Sequence, residues 1–156
     1  MSAGPERFFI RRMRDGDLAE VRAIETLSFT NPWSETTFRG EIQNTSISFP
    51  LVVVRKPGDE VVGYIIFWLI REDVPVNNIA IHPDFRGRGI GEALMRHVIE
   101  KVRARGATFM TLEVRRSNAG AVALYKKLGF EILGRRENYY TNPDEDAYLM
   151  GLVLDQ

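Results

Sequence analysis

The feature that most constrains the fold is a glycine-rich loop lying between a strand-like segment and a helix-like segment. The loop occupies residues 82–91 and reads HPDFRGRGIG. Residues 73–81 before it contain two Val and two Ile, and from residue 89 to 105 apolar side chains recur every three or four positions. A strand, a glycine turn and a helix in this order predict an α/β chain with a βαβ crossover around the helix.

The remaining segments predict a mixed sheet in a single domain. Strands are expected at residues 8–13, 49–55, 61–70, 73–81, 108–114, 130–136 and 147–154, and helices at 18–29, 34–44, 89–105 and 118–128. The expected N-caps of three helices lie at residues 15–17 (DGD), at Ser34, and at Ser117 or Asn118. The first half of the sheet reads as antiparallel. Because 156 residues contain no Gly-, Ser- or Pro-rich linker, we expect one domain over residues 1–156.

Composition excludes several kinds of chemistry. The chain has no cysteine, which excludes disulfides, thiol nucleophiles and cysteine-based zinc sites, and His82 and His97 alone are too few for a metal site. The 21 basic and 21 acidic residues balance, so no overall field favours nucleic acid or an anionic membrane. No apolar run is long enough for a membrane helix and no signal-peptide pattern begins the chain, which predicts a cytoplasmic protein.

The glycine-rich loop has the chemistry of an anion site. Glycines at positions 87, 89 and 91 remove Cβ atoms where a ligand would approach the backbone. The N–H groups that begin the following helix attract an anion, and Arg86 and Arg88 add mobile positive charge. A P-loop would end in Gly-Lys-Ser/Thr and a dinucleotide motif needs G-x-G-x-x-G spacing, and this loop has neither. The other open interpretation is a tight turn whose glycines serve only the backbone.

The loop also resembles a known family. Arg86-x-x-Gly89-x-Gly91 is similar to the pyrophosphate-binding motif of the GCN5-related N-acetyltransferase (GNAT) family, and the resemblance covers essentially the whole chain. Further segments that resemble the family are residues 112–115 (LEVR), 117–119 (SNA) and 124–130 (LYKKLGF). Residues 31–38 (NPWSETTF) and 134–140 (GRRENYY) resemble the branch that acetylates the N-terminal alanine of a small-subunit ribosomal protein.

The resemblance implies a GNAT fold, classed as α/β or α+β, with a mixed central sheet of about six to seven strands and about four helices. It implies acetyl-CoA as co-substrate, held where two parallel strands splay apart, and no metal. A strand backbone would pair with the pantetheine arm and polarise the thioester carbonyl through an N–H, while loop amides bind the pyrophosphate. The residues assigned to coenzyme binding in this way are Ile79, Ala80, Ile81, Arg86, Gly87, Arg88, Gly89, Ile90, Gly91, Glu92 and Asn118.

Two residues match the family's catalytic positions. The resemblance implies that Glu113 is the base, acting either directly or through one water, and that Tyr125 is the acid that protonates the leaving sulfur. Alternation along the strand puts Glu113 on the same face as Thr111 and Arg115. On the residues alone, a solvated Glu113 paired with Arg115 is the better interpretation, and Tyr125 could equally be a tyrosine at the edge of the core.

Aromatic side chains are the candidates for binding the amine substrate. Trp33, Tyr139 and Tyr140 match the segments that line the peptide groove in related enzymes, with Phe38 near Trp33. Individually, Trp33 and Phe38 could also be ordinary core or surface residues. Residues 144–146 (DED) could attract a basic peptide, but a solvated loop is the expected interpretation.

The resemblance thus implies an enzyme that transfers acetyl from acetyl-CoA to a protein N-terminal amine, with a ribosomal protein as partner and neither nucleic acid nor membrane involved. Direct attack in a ternary complex fits the chain, because it has no cysteine and no evident Ser-His-acid arrangement. The expected state is a monomer or weak dimer. Two alternatives stay open: a GNAT enzyme for a small amine or lysine, and a non-catalytic domain that binds acetyl-CoA.

Overall fold

A computed structural model describes residues 6–141 and 143–154 of the chain. The ends of the range 1–156 predicted as one domain therefore lie outside the described residues. The strands are β1 (Arg7–Arg12), β2 (Ser48–Lys56), β3 (Glu60–Trp68), β4 (Asp73–Ile81), β5 (Phe109–Arg115), β6 (Glu131–Tyr140) and β7 (Glu145–Val153). The helices are α1 (Leu18–Ser28), α2 (Glu35–Gln43), α3 (Ile90–Ala104) and α4 (Ala119–Lys127). Within the described ranges, no helix is both long and apolar enough to cross a membrane.

The strands form a mixed sheet in the order β1-β2-β3-β4-β5-β7-β6. β1 and β2 are antiparallel, as are β5 and β7, and β7 and β6, whereas β4 and β5 are parallel. The predicted mixed α/β architecture, with α3 in the crossover between β4 and β5, is confirmed. The parallel ladder runs from the pair Asp73–Phe109 to the pair Pro75–Thr111, which is short for a nine-residue β4 and agrees with splayed strands.

Backbone contacts divide the chain into two compact units. One unit contains the residues up to 66 together with 78–94, and the other contains 67–77 together with the residues from 95 onward. The core of the first unit consists of Met13, Leu18, Val21, Ile24, Phe38, Val52, Val54, Val61, Tyr64, Ile66 and Ala80. In the second unit β5 buries alternate side chains, Met110, Leu112 and Val114. The prediction of a single domain stays a prediction.

Local capping chemistry explains where two helices begin. Ser34 Oγ accepts the N–H of Thr37 at 3.1 Å at the start of α2, and Asn118 Oδ1 accepts the N–H of Ala121 at 3.2 Å at the start of α4. The predicted caps at Ser34 and Asn118 are confirmed, with Asn118 rather than Ser117 as the cap of α4. Asp17 occupies the N-cap position of α1, but the expected side-chain cap is wrong, because its carboxylate makes no capping hydrogen bond there.

The last two strands are longer than predicted. β6 continues to Tyr140 instead of ending at Arg136, and β7 begins at Glu145. The expectation of a solvated loop at residues 144–146 is therefore wrong for Glu145 and Asp146. These carboxylates have backbone partners that the sequence pattern did not reveal: Glu145 Oε2 accepts the N–H of Ser117 at 2.6 Å, and Asp146 Oδ1 accepts that of Asn138 at 3.0 Å.

Candidate active site

The glycine-rich loop leaves β4 through a 3-10 turn at Pro83–Phe85 and enters α3 at Ile90. Gly87 has φ +76° and Gly89 has φ +81°, a left-handed conformation that favours glycine. A Cβ built on Gly89 would meet no heavy atom within 4 Å, so the space beside the loop is open. The first helical bond of α3 runs from the N–H of Ala93 to Gly89 O at 3.0 Å, and the amides of Ile90 and Gly91 precede it. An open loop followed by helix amides fits a phosphate group.

The two loop arginines are held by protein partners rather than mobile, which corrects the sequence-based expectation. Arg86 donates from Nε to Ile81 O at 3.0 Å and from Nη2 to Ser28 Oγ at 3.1 Å. Arg88 donates to Glu6 Oε1 at 3.0 Å, and its guanidinium lies 4.7 Å from the centre of the Phe85 ring. A phosphate approaching the loop would therefore compete with these partners.

The strand segment predicted to pair with pantetheine is the end of β4, residues 79–81. The Ile79 N–H is donated to Asn78 Oδ1 at 3.1 Å. The neighbouring backbone is close, because a Cβ on Gly63 would lie 3.2 Å from Ala80 O and 2.6 Å from Ile81 Cδ1. The close approach of β3 explains why glycine is needed at position 63.

Glu113 projects from the half-buried face of β5, as alternation predicted. Its Oε1 lies 3.3 Å from Nε of Arg136, while its Oε2 is buried and has no hydrogen-bond partner among the described residues. Hydrogen bonding to Glu113 raises the pKa of the Tyr139 phenol, and burial adds to that rise. The interpretation of a solvated glutamate paired with Arg115 is wrong in its partner. Arg115 instead pairs with Glu145 at 3.2 Å.

Tyr125 lies in α4 with 6% of its surface exposed. Its ring packs beside Phe130 with the ring centres 5.7 Å apart. Burial raises the pKa of Tyr125 to about 12. The phenol therefore keeps its proton at neutral pH and is available as a donor. Asn118 begins the same helix as its N-cap, and its predicted contact with coenzyme stays a prediction.

A β-bulge determines where the two adjacent tyrosines of β6 lie. The register of β6 against β7 shifts between Arg136 and Tyr140, and Asn138 in the bulge has φ +50°. The rings of Tyr139 and Tyr140 are perpendicular, with centres 5.1 Å apart, and the Arg115 guanidinium lies 4.4 Å from the centre of the Tyr140 ring. Burial raises the pKa of Tyr140 to about 12, whereas Tyr139 is 50% exposed.

Trp33 follows α1 and is partly buried, and Phe38 is fully buried. Their ring centres are 5.3 Å apart, and Phe38 meets Tyr64 edge-on at 5.6 Å. The ordinary-core interpretation therefore holds for Phe38. The backbone N–H of Trp33 donates to Glu25 Oε2 at 2.8 Å. Sequence reasoning missed Glu25, although an acidic residue on the apolar stripe of α1 was a visible signal.

Within the second unit, the structure brings Glu113, Arg136, Tyr139 and Tyr140 together. Within the first unit, it brings Trp33, Glu25 and Asn78 together and holds residues 79–92 in one strand–loop–helix segment. In the part of the chain that the structure describes, no group of three or more His, Asp or Glu residues could hold a metal ion. The second unit thus contains a carboxylate with one unpartnered oxygen and protonated phenols, and the first unit contains an open glycine-rich loop at the start of a helix.

Comparison with known proteins identifies the family. The model of the acetyltransferase (GNAT) family matches residues 18–130. A Bacillus subtilis (strain 168) protein provisionally named [ribosomal protein bS18]-alanine N-acetyltransferase is 39% identical over 147 residues, 94% of this chain and 96% of the relative. The Escherichia coli (strain K12) [ribosomal protein bS18]-alanine N-acetyltransferase is 35% identical over 147 residues, 93% of this chain and 97% of that protein.

A solved structure gives the same result. The crystal structure of the ribosomal-protein-S18-alanine N-acetyltransferase from Escherichia coli superposes with a TM-score of 0.86 and 34% identity, covering 96% of each chain. The family match, the relatives and the shared fold lead to one conclusion: the chain belongs to the GNAT family and is an acetyl-CoA-dependent N-acetyltransferase.

Proposed function

We propose that this chain transfers acetyl from acetyl-CoA to the α-amine of the N-terminal alanine of ribosomal protein bS18. The proposal is carried by the similarity of this chain to Bacillus subtilis and Escherichia coli proteins that are named for this activity. The similarity extends over more than nine-tenths of this chain and of each relative. A protein that binds acetyl-CoA without turnover would not need the buried, unpartnered oxygen of Glu113. That oxygen supports a catalytic role.

The coenzyme is proposed to bind along residues 79–81 and at the loop and helix start, residues 86–92, with Asn118 as a further contact. Acetyl-CoA supplies the acetyl group as a thioester. The open space at Gly89 allows the pyrophosphate to approach, and the amides of Ile90 and Gly91 donate to it.

Glu113 is proposed to accept the proton of the attacking amine. As the amine attacks, its nitrogen forms a bond to the acetyl carbon and the bond from that carbon to sulfur breaks. Oε1 is held by Arg136, which leaves Oε2 to receive the amine proton through one water. An α-amine, with a pKa near 8, becomes neutral more readily than lysine at about 10.4, so a carboxylate base suits an N-terminal substrate.

Tyr125 is proposed to donate the proton that the leaving sulfur needs. Because burial raises its pKa to about 12, the phenol is protonated across the physiological range. The proton passes from the hydroxyl to the thiolate of coenzyme A, and solvent restores it afterwards. The amine loses one proton and the sulfur gains one, so the protons balance. The amine attacks the acetyl carbon directly, and the transfer therefore needs no covalent enzyme intermediate.

The first residues of the substrate are proposed to lie against Trp33, Tyr139 and Tyr140. Tyr139 is half exposed and its hydroxyl bonds to Glu113, so a peptide beside it would lie next to the base. Aromatic walls accommodate a small side chain such as that of alanine and leave backbone groups free to hydrogen-bond.

The test uses purified protein, isotope-labelled acetyl-CoA and a pool of peptides with varied first residues, half of them with blocked α-amines. We expect mass spectrometry to find label on free α-amines, most of all on peptides that begin with alanine. Label on lysine side chains or on small amines would contradict the proposal and indicate an acetyltransferase that acts on those amines instead. No label with intact coenzyme binding would indicate a non-catalytic acetyl-CoA-binding domain. Sedimentation of the same sample tests the expected monomer or weak dimer.

A further inference from the structure

Glu25 is a buried carboxylate that the proposed mechanism does not use. It lies on α1 with 1% of its surface exposed. Three neutral donors from three other segments reach it: the Tyr64 hydroxyl, which bonds to Oε1, Asn78 Nδ2 at 2.6 Å from Oε1, and the Trp33 N–H at 2.8 Å from Oε2. These contacts all lie within the first compact unit.

A carboxylate is an unfavourable choice for a purely structural core position. Removing a charge from water is costly, and an apolar side chain of similar size would usually serve packing as well or better. Glu25 follows Leu18, Val21 and Ile24 on the buried stripe of α1, where an apolar residue would satisfy the helix pattern. We therefore attribute the presence of a carboxylate here to the three hydrogen-bond donors that it connects.

Two of these donors, on Trp33 and Asn78, belong to segments that are proposed to bind the amine substrate and the coenzyme. Trp33 stands at the entry to α2 and is the candidate wall for the amine substrate. Asn78 begins the segment of β4 proposed for the coenzyme, and its Oδ1 accepts the N–H of Ile79 at 3.1 Å. A continuous chain of hydrogen bonds thus runs from the Trp33 N–H through Glu25 and Asn78 to the Ile79 N–H.

We propose that Glu25 is a positioning residue that couples coenzyme binding at residues 79–81 to the placement of Trp33, so that each substrate strengthens binding of the other. The inference rests on the proposed function. A pantetheine arm pairing with the Ile79 N–H competes with Asn78 Oδ1 for that donor. Any rotation of the Asn78 amide alters its bond to Glu25 Oε1, and the carboxylate transmits the change to the Trp33 N–H on its other oxygen.

The test measures this coupling directly. The dissociation constant of coenzyme A is measured by calorimetry with and without a saturating peptide that begins with alanine, and the ratio of the two values is the coupling. We expect a ratio of about 5 or more for the unmodified protein. For Glu25→Gln we expect the ratio to fall towards 1 and the KM for peptide to rise about tenfold, with a smaller change in kcat.

Asp17→Asn is the matched control. Asp17 is also a buried carboxylate of the first unit, but its side chain binds Arg11 and the Arg14 N–H instead of Trp33 or β4. We expect this variant to lose stability and to keep the coupling ratio of the unmodified protein. A ratio for Glu25→Gln equal to that of the unmodified protein, or a ratio of 1 in the unmodified protein, would show that Glu25 serves stability alone.

A second variant covers the case in which Glu25→Gln does not fold, as judged by circular dichroism. Asn78→Ala breaks the same chain from the coenzyme side, and we expect it to lower the ratio in the same way. An unchanged ratio in folded Asn78→Ala contradicts the proposal. Failure of the proposed function is recognised separately, because the unmodified protein would then not acetylate the α-amine of the peptide at all.

Discussion

Arg136 on the edge strand β6 reaches across β7 to Glu113 on β5, with its Nε 3.3 Å from Oε1 of the carboxylate. The arginine side chain is 55% exposed and that of the glutamate 24%. The pairing fixes one carboxylate oxygen from the solvent side and leaves Oε2 buried without a partner among the residues that the structure describes. A carboxylate held in this way is oriented before the substrate arrives.

Glu113→Gln tests the base. The amide cannot accept the amine proton, so we expect transfer to slow by about 100-fold and its pH optimum to move upward, where more of the amine is already neutral. Coenzyme affinity should stay near normal, which calorimetry checks on the same sample. Unchanged turnover across the pH range would remove Glu113 as the base.

Arg136→Ala tests the orientation of the carboxylate. Without its partner, Glu113 can leave the productive position, and we expect kcat to fall about tenfold at unchanged coenzyme affinity. Arg135→Ala is the control, because Arg135 pairs with Asp146 at 3.2 Å instead. Equal steady-state kinetics of the two variants would show that the ion pair does not matter for transfer.

Tyr125→Phe tests the acid. The substitution keeps the ring that packs beside Phe130 and removes the hydroxyl, so we expect a loss of about 100-fold or more in kcat with little change in stability. Since burial holds the pKa of Tyr125 near 12, the activity of the unmodified enzyme should not fall through loss of this proton below about pH 10. A decrease of less than threefold in Tyr125→Phe contradicts the acid role.

Gly89→Glu tests the phosphate loop. Its side chain would enter the open space beside the loop with a negative charge, and we expect coenzyme binding to be abolished in a calorimetric titration. We also expect Gly89→Glu to lower the stability of the fold, because a φ of +81° disfavours any L side chain by about 1–2 kcal/mol. Gly16→Glu is the control, since a Cβ there also meets nothing within 4 Å. Retained coenzyme binding in Gly89→Glu would show that the anion site lies elsewhere.

Asp17 predicts an acid-sensitive contribution to stability. Burial acts to raise the pKa of Asp17, but the hydrogen bonds from Arg11 and from the Arg14 N–H outweigh it, and the net pKa lies below the usual value. A lowered pKa in the folded state stabilises the protein above the unfolded pKa of about 3.9, and that stability is lost as pH falls through the folded value. We expect Asp17→Asn to lower the free energy of unfolding by about 2 kcal/mol at pH 7. Urea titrations should show the difference from the unmodified protein shrinking below about pH 4, and a constant difference down to pH 2 contradicts this account.

Much of the fold could be predicted from local patterns. β4 was predicted at its observed bounds, and α3 was predicted within one residue at each end, because hydrophobic period and glycine turns act between residues close in sequence. The caps at Ser34 and Asn118 are local for the same reason. The extent of β6 was underestimated, because its bulge depends on Asp146 in the next strand.

The candidate site shows the same division. Alternation along β5 predicted the face on which Glu113 lies, and the family motif predicted its role, but neither could identify its partner. The sequence pattern suggested Arg115, two residues away, whereas the structure selects Arg136 on another strand. That choice depends on the register of β5, β7 and β6, which the pattern of a single strand does not encode.

The sequence by itself determined the family, the order of strands and helices, and the loop chemistry, because each is carried by residue types at fixed short spacings. The tertiary structure alone decided which polar groups meet: Arg136 with Glu113, Arg86 with Ser28, and Asn78 with Glu25. Glu25 and Asn78 are 53 positions apart. Contacts of this kind form only when packing and strand register bring distant segments together. A buried carboxylate such as that of Glu25 then accepts hydrogen bonds from the donors that this packing places beside it.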